Sequence, residues 1–293
     1  MLQGRRAALA AACAVVAAAA VTAGCGGGNT SSALSLDPVA AAATKSEGAG
    51  AARVRLAVAV SGPQGKTFRL RGTGAIDGAS SELSFRLGSL LGLAGMPSAA
   101  MTQLAHGSLR EITLEENGDY VIYLRLGSLL ASRLPGGQQW IKLDLSKLGK
   151  SAGLDLSKLL SGSQLQPSDL LSMLETEGAK IHKVGPGTIN GVRTTHYRVV
   201  VDTRARLKEL DSPLLAGVAA QMPKIPEDVW IGKDGLVRRI RVSLNLPHRG
   251  TPVHTAMTMD LHAYGADVDI AAPPSSQVFD ATDFAQQGLG SLH

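Results

Sequence analysis

The chain has 293 residues, with 29 Lys and Arg against 24 Asp and Glu, a formal charge of +5, two cysteines and only 3% aromatic residues. So few cysteines exclude a disulfide-stapled scaffold, and so modest a charge excludes a binder of polyanions that works by net charge alone.

Arg5 and Arg6 precede an apolar run from Ala7 to Val21 that ends in small residues at Ala23, Gly24 and Cys25. A positive start, a short apolar stretch and a small-residue cleavage site predict an export signal over residues 1–24. The run is mostly alanine and falls short of the roughly 20 strongly apolar residues of a membrane span. Cys13 leaves with such a signal, so the exported chain keeps Cys25 alone and forms neither a disulfide nor a redox pair. Loss of Arg5 and Arg6 takes the formal charge from +5 to +3, and an exported protein meets no genome, so nucleic acid is not an expected partner.

After Cys25, residues 25–50 are rich in Gly, Ser and Ala and predict a flexible tether, with a short helix over the alanines from Pro38 to Lys45. Strands follow. Val54, Leu56, Val58 and Val60 alternate with Arg53, Arg55, Ala57 and Ala59, and similar alternation recurs around Leu70, Leu83 and Tyr120. Turn signals at Asp77-Gly78 and Asn117-Gly118 make consecutive strands antiparallel neighbours. Gly72-Thr73-Gly74 lies within strand-like sequence and reads as a bend or bulge in the sheet. The charge-free segment Ser89 to Ala105 breaks the pattern and reads as a buried helical turn or a hydrophobic flap, with Leu90, Leu91, Leu93, Met96 and Met101 as its apolar side chains.

Pro167, Asp169 and Gly178 punctuate a helix whose stripe is Leu170, Leu171 and Leu174. A second series of strands begins near Ala179, turns at Asn190-Gly191 and runs to Asp202. Thr203 opens a helix with Leu207, Leu210 and Leu214 at helical spacing. The stretch Pro226 to Leu246 is a hairpin about Asp234-Gly235, with Leu236, Ile240, Val242, Leu244 and Leu246 on one face. Arg238 falls on that apolar face, either at a rim that meets a ligand headgroup or snorkelling at a strand end. Val253 to Ala263 is a further strand, and Pro273-Pro274 ends regular pairing. Residues 51–293 read as one β-rich domain of α+β class: an antiparallel sheet with one apolar face, which the amphipathic helices need to cover. Pattern alone leaves open whether sheet and helices pack solid or enclose space.

Several features stand together: Val-Thr-Ala-Gly-Cys25, the tether, QPSDLLSML, TINGVRTTHYRVVVD, PEDVWIGKDGLVRRI and DVDIAAPP. The first resembles the lipobox of bacterial lipoproteins, although Thr22 stands where that motif usually has Leu, Val or Ile. Cys25 is by that resemblance the lipid-attachment residue, bearing palmitate-type acyl chains and holding the chain at the extracytoplasmic face of the cell membrane. In their order the features resemble the LolA-like superfamily of envelope carriers, and within it the actinobacterial lipoproteins of the LprG/LppX type. The resemblance implies a strongly curved antiparallel sheet forming an incomplete barrel, with helices covering its concave face and a hydrophobic cavity for acyl chains. The partners it implies are membrane lipids or glycolipids, with no cofactor and no catalytic residue. The alternative is an envelope sensor or scaffold that recognises a protein partner.

Other chemistry finds no support in the residues. His254, Asp260 and His262 share a strand face, but same-face neighbours are spread about 7 Å apart and do not converge as metal ligands do. No His-Glu-x-x-His, Gly-x-Ser-x-Gly or Cys-His arrangement is present, so no enzyme is expected.

Overall fold

The computed structural model describes residues 38–61, 67–86, 107–117, 119–125, 127, 134–151, 180–202, 224–248 and 251–290. In chain order the elements are α1 (Pro38–Gly48), β1 (Ala52–Ser61), β2 (Thr67–Asp77), β3 (Ser80–Arg86), β4 (Ser108–Glu116), β5 (Asp119–Arg125), β6 (Trp140–Asp144), α2 (Leu145–Ser151), β7 (Lys180–Ile189), β8 (Val192–Asp202), β9 (Lys224–Gly232), β10 (Val237–His248), β11 (Thr251–His262), β12 (Val278–Asp280) and α3 (Thr282–Gly290). The fold class is the α+β, predominantly antiparallel class expected from the alternation. The chain divides into two compact units, one containing Phe68–Ser163 with Asp269–His293, the other Cys25–Thr67 with Gln164–Val268.

In the first unit the strands run β12-β6-β5-β4-β3-β2, antiparallel except for β12 on β6. Ile112, Val121, Tyr123 and Trp140 form a buried cluster on one face, closed by Leu114, Ile270 and Val278. The segment after Val268 therefore does more than trail away at its prolines. It lays Ile270 on the sheet, pairs Val278–Asp280 with β6, and docks α3 against α2. Strand β6 ends at Asp144. The Asp144 carboxylate accepts the Lys147 backbone N–H at 2.9 Å and so caps α2.

In the second unit the order is β1-β11-β10-β9-β8-β7, all antiparallel. Asn190 (φ 48°) and Gly191 (φ 82°) form the two-residue turn between β7 and β8, as Asn-Gly predicts. At the β9–β10 hairpin, Gly235 takes φ 75° and the Asp234 carboxylate accepts the Leu236 N–H at 3.3 Å. Just beyond, the register slips between Val237 and Arg239. Val237 then pairs with Ile231 and is buried, which is the reverse of the outward phase expected for it. One extra residue in a strand inverts every side chain on one side of it.

The helix expected over the alanines is present as α1, with Ala40 and Ala42 buried against the β9–β10 hairpin. Its Ser46 hydroxyl accepts the Val237 backbone N–H at 2.9 Å and donates to the Ala42 carbonyl at 2.7 Å. The bulge leaves the Val237 N–H without a ladder partner, so Ser46 supplies one. Ser46→Ala is expected to lower unfolding free energy by about 1–2 kcal/mol, read as a lower urea midpoint at unchanged slope. An unchanged midpoint refutes the pinning.

Candidate functional site

The second unit carries a continuous apolar face. In register across five strands lie Leu56, Met259, Ile240, Val229 and Tyr197. The next rows are Val58, Met257 and Val242, then Val60, Thr255 and Leu244. Burial within this face is uneven. Val54, Leu56, Val58, Met259 and Leu261 are buried, whereas Val60, Ile240, Val242, Leu244 and Met257 are only half-buried.

The first unit has its own apolar face, with rows Gly74–Leu83–Glu111–Leu124–Ile141 and Gly72–Phe85–Leu109. Glu111 is the exception in it, 1% exposed between Leu83 and Leu124. Its Oε1 receives a long hydrogen bond from the Thr113 hydroxyl, 3.5 Å, and its Oε2 has no partner among the described residues. Burial drives the carboxyl from its ordinary 4.5 up to about 7, which the Thr113 hydroxyl only partly offsets. Sequence reading missed this residue because LREITLE offers apolar side chains in both phases, and both faces of β4 are in fact covered.

The opposite face of the second unit is polar. Arg239 donates from Nε and Nη2 to both Asp260 oxygens at 2.5 and 2.7 Å, and Asn190 adds a bond to Oδ2 at 3.2 Å. Asp228 is held by Arg198 and by His196 Nε2, each reaching Oδ1 at 2.8–2.9 Å. Burial alone would raise both carboxyls, but these donors hold them below the usual carboxylate range. His196 stacks flat on Trp230, centroids 4.2 Å apart, and the Arg239 guanidinium lies 6.0 Å from the Trp230 ring centroid. The ion pairs join residues more than twenty positions apart, so no local motif announces them.

Of the side chains singled out from sequence, Arg238 lies within the described residues. It occupies the bulge of β10, is ion-paired to Asp234 and sits over the Tyr264 ring at 5.5 Å. The Tyr264 hydroxyl in turn donates to the Val237 carbonyl, 2.5 Å. Cys25, the leucines and methionines of 90–101, those of 170–174 and those of 207–214 lie outside the described residues. So do the helices expected between 152 and 179 and between 203 and 223. His254 meets Asn245 at 3.0 Å, and His196 meets Asp228 at 2.8 Å. Among the described residues no group of three His, Cys, Asp or Glu converges as for a metal ion, and no helix is long and apolar enough to cross a membrane.

No family model matches the chain, and no curated protein does. Among solved structures it is similar to the lipoprotein LppX of Mycobacterium tuberculosis, at 15% identity over 80% of this chain and 100% of that one, TM-score 0.40. It is also similar to LprF of Mycobacterium bovis (11% identity, 81% of this chain and 98% of that one, TM-score 0.38). A LolA superfamily protein of Nitrosomonas europaea is a third (8% identity, 82% and 96%, TM-score 0.25).

Proposed function

We propose that the protein binds and carries amphiphilic lipid at the extracytoplasmic face of a membrane, to which acyl chains on Cys25 attach it, and that it performs no chemical step. The observation that carries this reading is the uneven burial of the second unit's apolar face. Ile240, Val242, Leu244 and Met257 stand in the middle strands of a sheet, where a solid core would close over them, yet they remain half-buried. Aliphatic side chains in such a position suit an acyl chain: ten buried methylenes are worth about 8 kcal/mol before the costs of association. The leucines and methionines of 90–101, 170–174 and 207–214 are proposed as further acyl-chain contacts.

Native mass spectrometry of the protein purified from its own membrane tests the reading. The expected spectrum contains a bound species heavier than the chain by the mass of a lipid, lost on collisional activation. A spectrum of the bare chain, unchanged after incubation with phospholipid or glycolipid, overturns it. In that event, co-isolation of an envelope protein without lipid would favour the sensor reading.

A further inference from the structure

The polar face of the second unit holds more positive charge than it neutralises. In register lie Arg53 beside His262, then Arg55–Asp260–Arg239–Trp230, then Ala57–Thr258–Arg241–Asp228–Arg198. Arg239 takes Asp260, and Arg198 with His196 takes Asp228. Arg53, Arg55 and Arg241 are exposed and form no ion pair among the described residues. Between them on this face lie His262, Asp260, Arg239 and Thr258, and the next row is short: Ala59, Ala256 and Ser243. The excess charge is felt locally: burial first, and then Arg55 and Arg53, push the His262 imidazole below its ordinary value, with Asp260 opposing them.

We propose that this arginine-bearing face rests on an anionic lipid surface. The inference deepens the reading of a membrane-attached carrier and rests on it for one step. Helix α1 enters this same unit, and Pro38 stands only 13 residues after Cys25. A fully extended connection spans at most about 45 Å, so an anchor at Cys25 keeps the face within reach of the headgroups. Exposed guanidiniums in excess of the carboxylates on one sheet face complement a surface of phosphates, to which Arg offers bidentate hydrogen bonds. Each basic residue at an anionic surface strengthens partitioning about fivefold, and the attraction fades within a Debye length.

The test uses the full chain, purified from its membrane and reconstituted with vesicles of phosphatidylcholine alone or mixed with phosphatidylglycerol. Flotation reports attachment, and phenylglyoxal modification mapped by mass spectrometry reports each arginine. With phosphatidylglycerol present, modification of Arg53, Arg55 and Arg241 is expected to slow by about fivefold. Molar salt should remove the protection. Flotation with both vesicles but equal modification in both overturns this inference and leaves the anchor standing. Flotation only with phosphatidylglycerol, the three arginines protected, supports the face and removes the anchor; flotation with neither removes both. Protection in solution by an envelope extract, with none on vesicles, assigns the face to an acidic protein and overturns the lipid proposal.

Discussion

Replacing Glu111 by glutamine should stabilise the protein above neutral pH. A carboxyl that is 1% exposed, with one oxygen unpartnered among the described residues, resists ionisation, and burial raises it from 4.5 to about 7. The folded-state value lies above the unfolded one, so the stability tied to the neutral acid is complete below pH 4.5. It is lost as the pH climbs from 4.5 through about 7, after which the penalty levels off. At pH 8 the ionised form costs the folded state about 3 kcal/mol. Glu111→Gln keeps the shape and a hydrogen-bond partner for Thr113 while removing the charge. Its melting temperature should therefore match wild type near pH 4.5 and exceed it by several degrees at pH 8. Parallel melting profiles for the two proteins across that range would refute the assignment. Asp228 and Asp260 act with the opposite sign: their values lie below the ordinary carboxylate range, so their contribution is lost on acidification. Wild-type stability is therefore expected to decline on both sides of a mildly acidic maximum, from different causes in the two units.

Gly74→Ala should be among the most damaging single substitutions in the chain. A Cβ placed at Gly74 would lie 1.8 Å from the Glu82 carbonyl oxygen and 3.0 Å from the Leu83 Cα, both backbone atoms that no rotamer change can move. Gly74 pairs with Leu83 in the centre of the β2–β3 ladder, so the collision is relieved only by opening that ladder. The expected loss exceeds about 4 kcal/mol, in the range reserved for overpacking against fixed structure. Urea unfolding followed through Trp140, which belongs to the same unit, should show a collapsed midpoint or no folded baseline. Gly48→Ala is the control, because nothing lies within 4 Å of a Cβ there, and its midpoint should stay within about 1 kcal/mol of wild type. Comparable midpoints for the two variants would mean that β2 and β3 approach less closely than described.

Gly74 also shows how far the sequence could be read. Glycines inside a strand pattern predicted a bend or bulge, and the β2–β3 register is continuous from Gly72 to Asp77; the glycines instead admit a close approach of neighbouring backbone. Where one face is buried and the other wet, as in β1, alternation gave the strand, its phase and its inner residues together. It failed where a second layer covers the outer face. Tyr120 to Tyr123 are all buried, because Ile270 and Val278 close the side that a simple hairpin would leave to solvent. It failed again at β10, where one inserted residue turns Val237 inward and moves Arg238 to the bulge. A three-residue parallel strand such as β12 has no period to detect. The polar pairs Arg239–Asp260 and His196–Asp228 were invisible for a different reason: pairing across strands is set by register, which local composition does not specify.

The Ser46–Val237 contact has a mechanical meaning. The polypeptide upstream of Pro38 joins the second unit through a helix seated on a hairpin, so a pull on that leader loads the α1–hairpin seam before it can peel β1 from β11. Tension from that side would thus yield first at a small seam, and the ladder between β1 and β11 would be spared the strain.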